Sequence, residues 1–545
     1  MHRLAPLPVL LFVALLGSII LAWWLPNRPQ AGDVGMAEAR FNSVSFAPFR
    51  AGQSPLTDTF PSRAEVEADV ALVATRARAL RTYAANEGDY DVAEIAQRHG
   101  LKVWQGLWLG ADRASNAREI AKAIALAHRY PDTIERVIVG NEVLLRRDLP
   151  AGDLIAAIDQ VRAAVRQPVT YADVWEFWAQ FPEVARHVDI VTIHLLPYWE
   201  DTPTGIDGAV AHVADVYRRM AALFPSKPIA VGETGWPSRG RWRDDAAPSV
   251  VNQAVFLRRF VALAHAEGFD YNLIEAFDQV WKYQNEGTVG ANWGLWRSDR
   301  TPKFPLSGAV TENPDWMKAA AASGAFALLL LAFALGCGPP LPVGAQAGVV
   351  TLAAALGVAL GYAWIATSPV LYDAYVRTAA VGNLGGQTLL AMLMMARAAA
   401  LLSGAPVPPS RSGADATRAV QGLFHLRLPP LACWFDDLSF VFVWTAAVLE
   451  VMLVADPRYR DFPLPAFAVP LVAVVGRALL RDLPRGGGGR EEVLAGAVLA
   501  LCAAAGALRE GPLNHQAQLW TVCAFILAAP PLLRCATPVR RRVPA

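Results

Sequence analysis

Two glutamates stand at matching places in the chain, each directly after a short run of branched apolar residues. In the stretch RVIVGNEVLL the apolar run stops at Gly140, and Asn141 and Glu142 follow. In the stretch KPIAVGETGWPS a similar run stops at Gly232, and Glu233 follows. Each glutamate alone has an ordinary interpretation, a cap that opens the next helix. Together they predict a carboxylate pair for acid–base chemistry, provided that both strands end at the same face.

Two carboxylates facing each other across a cleft suit the cleavage of a glycosidic bond. One carboxyl must be protonated, to give its proton to the leaving oxygen, and the other must be ionised, to attack the anomeric carbon. Their closeness is expected to push the two pKa values apart. Asn141 is placed to hydrogen-bond the sugar 2-hydroxyl. No Cys/His spacing resembles a zinc site, and this chemistry needs neither a metal nor a cofactor, so we expect none.

The elements that must bring the glutamates together are eight strands alternating with helices. The strand candidates are 43–49, 79–85, 101–109, 136–143, 168–175, 188–198, 227–236 and 272–281. Amphipathic helical patterns separate them, and Ser62 is the expected cap of the first helix. This rhythm between residues 40 and 305 predicts an α/β fold, a (β/α)8 TIM barrel. In that fold the carboxyl ends of the strands line the active site.

The predicted strand ends carry the polar and aromatic side chains expected of a sugar-binding cleft. Indole rings stack on the flat apolar face of a pyranose, while carboxylates and amides bind its hydroxyls. The candidate substrate-binding residues are Arg81, Tyr83, Asn141, Trp175, His194, Tyr198, Trp236, Glu275, Asp278, Trp281, Lys282 and Trp293. Four of the tryptophans are expected to serve as stacking platforms for an acceptor sugar: Trp175, Trp236, Trp281 and Trp293.

Composition divides the chain into a soluble part and a membrane part. The 545 residues carry a net charge of +1 and are 54% hydrophobic, and the mean hydropathy of +0.29 is high for a soluble protein. Long apolar runs fill the chain from about residue 319 onward. The near-zero net charge gives no indication of nucleic-acid binding. All five cysteines lie in the apolar part, as small side chains of membrane helices do: Cys337, Cys433, Cys502, Cys523 and Cys535.

The apolar runs predict eight membrane spans. Leu7 to Leu25 is interpreted as an uncleaved signal anchor, with a cleaved signal peptide as the alternative. The other spans are 319–336, 348–367, 379–402, 431–454, 463–480, 492–508 and 517–533. The predicted domains are therefore an N-terminal anchor at 1–30, the barrel at 40–312 and an all-α, multi-span membrane domain with about seven helices at 318–545.

Charged residues near these spans suggest an orientation. Basic residues concentrate in 403–430, in 481–491 and in the C-terminal tail, and they include Arg427 and Arg540 to Arg542. The positive-inside rule then places both termini in the cytoplasm and the barrel in the periplasm of a bacterial inner membrane. Charges inside predicted spans are either functional or placed at the membrane edges: Arg397, Asp436, Asp437 and Glu450.

The motifs around the two glutamates resemble glycoside hydrolase family 17, the β-1,3-glucanase and β-1,3-glucan transglycosylase family, in a membrane-anchored bacterial form. KPIAVGETGWPSRG is similar to the family's nucleophile motif and VGNEV to its acid/base strand. RTYAAN matches the family's Arg-x-Tyr-x-x-Asn segment through Arg81, Tyr83 and Asn86. NWGLW, at 292–296, is similar to its closing Trp-Gly-Leu-Phe segment. The resemblance extends from about residue 43 to 297.

This resemblance implies a retaining mechanism, with Glu233 as nucleophile, Glu142 as acid/base and Lys282 as a further cleft residue. The chain departs from the plant members of the family in FDQV near strand eight, in HLLPY at strand six, and at Gly290, where they carry a glutamate. These differences affect subsites and supporting groups and leave the central glutamate pair in place.

Three functions are compatible with these features. Transglycosylation is favoured, because a membrane-anchored periplasmic enzyme is well placed to remodel a glucan that emerges from a membrane synthase. Plain hydrolysis by an endo-β-1,3-glucanase is the alternative, and a non-catalytic glucan-binding protein for export or assembly is the third. The expected partners are a β-glucan oligosaccharide or polysaccharide, the lipid bilayer and a membrane glucan synthase, with no nucleic acid.

Overall fold

The computed structural model describes residues 6–32, 40–367, 374–423, 430 and 433–536. It contains two compact units. One unit spans Pro29–Thr311, and the other combines the N-terminal helix with the chain from Glu312 onward.

Eight parallel strands close the barrel of the first unit, each bonded to the next and the last to the first. They are β1 (Phe41–Ser45), β2 (Ala77–Arg81), β3 (Lys102–Leu107), β4 (Ile134–Asn141), β5 (Val169–Val174), β6 (Ile190–His194), β7 (Ile229–Thr234) and β8 (Asp270–Leu273). The predicted (β/α)8 fold is therefore confirmed. The last strand ends well before residue 281, because the chain leaves the sheet after Leu273 and Glu275 bonds instead to the carbonyl of Trp293.

Helices cover the outside of the barrel and bury its apolar strand faces. They are α2 (Arg63–Ala74), α3 (Val92–Arg98), α4 (Arg113–Arg129), α5 (Ala151–Ala164), α6 (Trp175–Gln180), α7 (Ile206–Leu223) and α8 (Val250–Glu267). A further helix, α9 (Tyr283–Ala291), follows the loop after β8. Ser62 caps α2 as predicted: its side chain accepts from the Glu65 N–H, and the Glu65 carboxylate accepts from the Ser62 N–H. Such a reciprocal cap satisfies two helix-end donors and fixes where the helix begins.

The interior of the barrel is polar where it approaches the strand ends. The Asn272 side chain, from β8, donates to Ser45 Oγ at 2.8 Å and to the Gly232 carbonyl at 2.9 Å. Ser43 donates to the Asn272 oxygen at 2.8 Å. Buried polar groups of this kind hold a single geometry when all of them are paired. These bonds tie β1, β7 and β8 together directly beneath Glu233.

The second unit is helical. It contains α1 (Pro6–Trp24), α10 (Trp316–Cys337), α11 (Val343–Thr367), α12 (Ala374–Ser403), α13 (Gly413–Leu423), α14 (Trp434–Ala455), α15 (Ala468–Leu479), α16 (Arg490–Glu510) and α17 (His515–Ala536). Six of these helices, α10, α11, α12, α14, α16 and α17, are long and apolar enough to cross a membrane. The apolar part of α1, Leu10–Trp24, is shorter than any of these six helices.

The segment 463–480, predicted to be a membrane span, forms a helix that is shorter than expected. Its regular helix, α15, has 12 residues, preceded by the short 3-10 turn Leu464–Phe467. At 1.5 Å per residue, a helix of that length covers about 18 Å, less than the ~30 Å hydrocarbon core of a bilayer. The predicted loop at 403–430 also contains a helix, α13.

Each charged residue within a predicted span has a hydrogen-bond or ion-pair partner. Asp436 and Asp437 lie in the first turn of α14. Asp436 accepts from Arg477 at 2.8 Å and Asp437 from Arg411 at 2.9 Å. Two further contacts complete the set, Arg397 with Asp482 at 2.8 Å and the Trp520 indole with Glu450. The basic residues Arg427 and Arg540 to Arg542 lie outside the described residues.

Candidate active site

Glu142 follows β4 in a backbone conformation that only the surrounding fold can impose. Its φ is +53°, and that of Gly140 is +85°. A non-glycine residue in this left-handed region costs about 1–3 kcal/mol. The Glu142 N–H still bonds to the Ala172 carbonyl at 2.8 Å, so the residue extends the barrel wall. It does not open the next helix, which begins at Ala151 after a Pro150 cap. The interpretation of Glu142 as a helix cap is therefore wrong.

Glu233 lies within β7, with only 5% of its surface exposed. The next helix is capped by Ser249, so Glu233 is not a cap either. Its Oε1 accepts from Arg81 Nη1 and from the Tyr83 hydroxyl, each at 2.9 Å. Oε2 has no hydrogen bond among the described contacts. One oxygen is therefore anchored, while the other is free to react.

Arg81 connects the strands that carry the catalytic candidates. From the end of β2, its Nη1 also donates to the Gly232 carbonyl at 2.7 Å, and its Nη2 donates to Asn141 Oδ1 at 2.5 Å. The side chain is 1% exposed. Because Arg81 engages the Asn141 oxygen, the Asn141 amide nitrogen remains as a donor for a sugar hydroxyl. The sequence places these residues far apart in the chain, and the barrel brings them together.

His194 stands between the two glutamates. Its Nδ1 lies 2.8 Å from Glu142 Oε1, and its Nε2 lies 3.7 Å from Glu233 Oε1. Ligand-type atoms of all three residues lie within 4.8 Å of one another. His194 was predicted to bind substrate, but its side chain is fully buried behind the carboxylates. A cation bound to this cluster would lie beside the Arg81 guanidinium, which already balances Glu233, so the arrangement favours acid–base chemistry.

The electrostatic environment of Glu142 favours its ionised form. Burial raises the pKa of this carboxyl, but its hydrogen bond and electrostatic interaction with His194 and the charges of Arg146 and Arg81 together bring the pKa below its ordinary value. A general acid must be protonated when it acts. Glu142 must therefore take up its proton before it can serve in bond cleavage.

Glu275 and Lys282 form a second charged pair beyond β8. Lys282 Nζ lies 3.4 Å from Glu275 Oε1, while Glu275 Oε2 is buried without a hydrogen-bond partner in the described part of the chain. Burial, opposed by the Lys282 charge, raises the pKa of Glu275 to about 7. Burial lowers the pKa of Lys282, but the charges of the Glu275, Glu286 and Glu233 carboxylates raise this pKa by more than burial lowers it. The net shift is therefore upward. An unpaired buried oxygen favours a role for Glu275 in accepting a ligand hydroxyl.

Asp278, predicted to bind substrate, is instead part of a buried ion pair. Its Oδ1 accepts from Lys303 Nζ at 2.6 Å and from the Gly294 N–H at 3.0 Å. Lys303 also donates to Ser238 Oγ at 2.7 Å. These contacts hold the closing NWGLW segment against the strand-eight loop. Asp278 is therefore occupied by a structural contact.

Two of the four predicted tryptophan platforms, and the candidate substrate-binding residue Tyr198, have no face open to a ligand. Trp236 is 0% exposed, Tyr198 1% and Trp293 2%. The Trp236 indole donates to the Ala247 carbonyl, and the Tyr198 hydroxyl donates to the Arg241 carbonyl. Their rings pack edge to face with centroids 6.2 Å apart. The burial of Trp236 and Trp293 argues against the prediction that these two rings stack on a sugar. Trp175 and Trp281 remain partly exposed.

Several residues at the site were not predicted to belong to it. Ser45 Oγ lies 2.9 Å from the Tyr83 hydroxyl oxygen, to which it can donate while the Tyr83 proton is donated to Glu233. The Arg146 guanidinium stacks 4.1 Å above the ring of Trp108, which is 40% exposed. Arg146 also donates to the Leu109 carbonyl at 2.8 Å. Ser45 lies at the end of β1, so its position at a strand end could have identified it as a site residue from the sequence. Arg146 lies in a loop, and nothing in its local sequence indicates where its side chain points.

Comparison with known protein families supports a carbohydrate-active barrel. Residues 43–294 match the family model described as the BtgE/BtgC glycoside hydrolase domain. The chain is similar to a glucan 1,3-beta-glucosidase of Candida albicans, 27% identical over 264 residues that cover 44% of this chain and 85% of that protein. A glucan 1,3-beta-glucosidase of Schizosaccharomyces pombe is 28% identical over 256 residues, covering 44% and 79%.

Solved structures that align with about half of this chain include two carbohydrate-active proteins. The glycoside hydrolase family 17 β-1,3-glucanosyltransferase of Rhizomucor miehei is 24% identical with a TM-score of 0.43, over 49% of this chain and 98% of that one. An endo-laminarinase from Formosa Hel1_33_131 is 21% identical with a TM-score of 0.41, over 48% and 85%.

The buried Asp278–Lys303 pair leads to a stability prediction. Replacing Lys303 with Met leaves the Asp278 carboxylate buried without its counter-charge, which should lower the free energy of unfolding by about 3–5 kcal/mol. The double variant Asp278→Asn/Lys303→Met removes both charges and should recover much of that loss, because Asn still accepts from the Gly294 N–H. Urea unfolding followed by tryptophan fluorescence measures both variants. A single variant as stable as wild type would show that Asp278 does not depend on Lys303.

Proposed function

We propose that the barrel, whose residues 43–294 match the model of the BtgE/BtgC glycoside hydrolase domain, cleaves β-1,3-glucan by a retaining mechanism that uses Glu233 and Glu142. The observation that carries the proposal is the pairing of the two carboxylates, which have oxygens within 4.8 Å of each other. Retaining glycosidases hold their two carboxyl groups about 5–5.5 Å apart, whereas inverting enzymes leave room for a water between them. The names of the fungal relatives support the choice of substrate.

In the first step Glu233 Oε2 attacks the anomeric carbon. The electrons of the breaking glycosidic bond pass to the leaving oxygen, which takes the proton of Glu142. Arg81 and Tyr83 hold Glu233 Oε1 in place and thereby orient the attacking oxygen. Asn141 is placed to bind the 2-hydroxyl, a contact that strengthens in the transition state. The product of this step is a glycosyl ester of Glu233.

In the second step Glu142 acts as a base. It removes a proton from an incoming hydroxyl group, the hydroxyl oxygen attacks the anomeric carbon, and the Glu233 carboxylate is released. Water gives hydrolysis, while a sugar hydroxyl gives transfer. Both outcomes share every chemical group up to the glycosyl-enzyme, so the acceptor decides between them.

We favour transfer over plain hydrolysis because of how the barrel is attached. The barrel sequence lies between the N-terminal apolar helix and α10, so it is tethered at both ends. A tethered enzyme reaches glucan chains near the membrane better than external polymer, and a membrane glucan synthase would supply such chains. The alternative, an endo-β-1,3-glucanase, uses the same residues. A non-catalytic binding role is disfavoured, because it would not require the paired glutamates.

The proposed location is the inner membrane of a bacterium, with the barrel in the periplasm. The clustering of basic residues on one set of loops supports this orientation. Arg481 and Arg485 lie between α15 and α16, and Arg490 begins α16. Asp482 of the same loop pairs with Arg397 and Arg477. The cytoplasmic side would then hold most of the positive charge.

Replacing Glu233 with Ala tests the nucleophile. Turnover of a β-1,3-glucan oligomer should fall by about 10³-fold or more, because no group remains to form the glycosyl-enzyme. Azide should restore cleavage of an activated aryl glucoside by attacking from the vacated side, giving an α-glycosyl azide. Glu233→Gln, which keeps the shape of the side chain, controls for disruption of Arg81 and Tyr83. An Ala variant with near-normal turnover would exclude this role for Glu233.

Trp175 and Trp281 test the transfer reaction. An indole platform contributes about 1 kcal/mol to acceptor binding, and 1.4 kcal/mol corresponds to a tenfold change in occupancy. Trp175→Ala or Trp281→Ala should therefore lower the ratio of elongated to hydrolysed products by about fivefold, with little loss of total cleavage. Phe at the same position keeps an aromatic face and should keep more of the ratio. If the parent enzyme makes no elongated product, hydrolysis replaces transfer as its function.

Reporter fusions test the orientation. Alkaline phosphatase folds to an active enzyme only in an oxidising compartment, so a fusion after residue 312 should be active and one at residue 485 inactive. A cytoplasmic reporter, such as green fluorescent protein, should give the reverse pattern at the two positions. Phosphatase activity at 485 together with silence at 312 would place the barrel in the cytoplasm.

A further inference from the structure

The side chain of His194 is held in one orientation by its buried surroundings. It ends β6, its side chain is fully buried, and both ring nitrogens face charged groups. The ring also packs against the backbone at Gly232: a Cβ at that position would lie 3.0 Å from His194 Cδ2. A ring confined on these sides cannot turn to follow a ligand.

The hydrogen-bonding groups around the ring determine which nitrogen carries the proton. The nearest polar group to Nε2 is Arg81 Nη1, at 3.5 Å, and a guanidinium offers only donors. Glu233 Oε1 lies farther away, at 3.7 Å, beyond hydrogen-bond distance. An N–H at Nε2 would therefore point at another N–H. The proton of a neutral imidazole belongs on Nδ1, where it is donated to Glu142 Oε1 at 2.8 Å.

Resting on the proposed function, we propose that His194 is a positioning residue, held in its Nδ1–H tautomer by Arg81, which confines the catalytic proton of Glu142 to Oε2. Because Oε1 accepts the imidazole N–H in both the ionised and the protonated forms of Glu142, the exchangeable proton is left to Oε2. That oxygen has no partner among the described contacts. No tautomer change is needed as Glu142 alternates between acid and base.

This arrangement gives the two glutamates the same design. In each of them Oε1 is held by fixed donors from neighbouring parts of the barrel: Arg81 and Tyr83 for Glu233, and His194 for Glu142. In each, Oε2 is left to react. Without the His194 bond, Glu142 could rotate in its partly exposed position, since 23% of its side chain is open to solvent.

The donated bond also has a defined effect on titration. It stabilises the carboxylate more than the carboxylic acid, so it lowers the pKa of Glu142. Arg146, Arg81, Glu233 and Asp173 also face this region. Burial raises the pKa of Asp173 to about 6, opposed by a hydrogen bond from Tyr171. None of these groups changes in the variants below, so a difference between variants reports His194 alone.

His194→Leu and His194→Asn separate this role from a purely structural one. The Asn amide nitrogen takes the position of Nδ1 and can still donate to Glu142, whereas Leu fills similar space without a donor. Since the general acid must be protonated, loss of the bond raises the pKa of Glu142 and moves the basic limb of the kcat/KM profile upward. With Leu we expect a shift of about one to two pH units and a roughly tenfold fall in kcat. With Asn the limb should stay near that of wild type.

The measurement uses the full chain in detergent with a β-1,3-glucan oligomer as substrate. His187→Leu, which removes a surface imidazole paired with Asp159 at 2.9 Å, is the matched control and should leave the profile unchanged. Equal limb positions for the Leu variant and wild type, or equal shifts for Leu and Asn, would overturn the proposal. Glu142→Gln separates failure of the proposed function from failure of the role assigned to His194. If this variant keeps full activity, the proposed function itself fails. If it is inactive, only the role of His194 is in question.

Discussion

The guanidinium of Arg81 is the contact on which the candidate site depends. It lies almost wholly buried inside the barrel and reaches from β2 to Asn141, to Glu233 and to the Gly232 carbonyl. A buried charge whose partner is lost costs about 3–5 kcal/mol, so arginine and glutamate stabilise the fold only together. The same contact anchors one oxygen of Glu233 and leaves the other free. One ion pair thus serves both the stability of the barrel and the direction of the proposed chemistry.

The rest of the barrel keeps this ion pair rigid. Asn272, Ser43 and Ser45 cross-link three strands beneath it, and the apolar outer faces of the strands are covered by helices. The left-handed backbone at Glu142 is retained because the strand continues to bond through it. A strained residue at a strand end is typical of functional sites, where the surrounding fold supplies the compensating energy. Geometry at the pair is therefore set before any substrate arrives.

The helical unit meets a different constraint, since it carries charged residues within long apolar helices. Arg477 bonds to Asp436, Arg411 to Asp437 and Arg397 to Asp482. Pairing of this kind lowers the cost of holding ions next to a hydrocarbon region. It also explains how charged residues can interrupt apolar runs without a transport role. Small residues allow close helix packing there: a Cβ at Gly357 would lie 2.6 Å from the Ser323 carbonyl oxygen.

The sequence by itself determined the order of the eight strands, the barrel and the two glutamates, because alternating periodicity and strand-end position are local signals. It also indicated the apolar helices. Only the tertiary structure decided which strand-end side chains face the cleft. Asp278 is bound by Lys303, 25 residues later in the chain, and Trp236 is buried by its neighbours. The local sequence pattern reveals neither the ion pair nor the burial. Arg81 and Glu233 are 152 residues apart, and His194 turned out to lie behind the carboxylates. Burial and ion pairing depend on distant segments meeting, so they are settled only when the barrel closes.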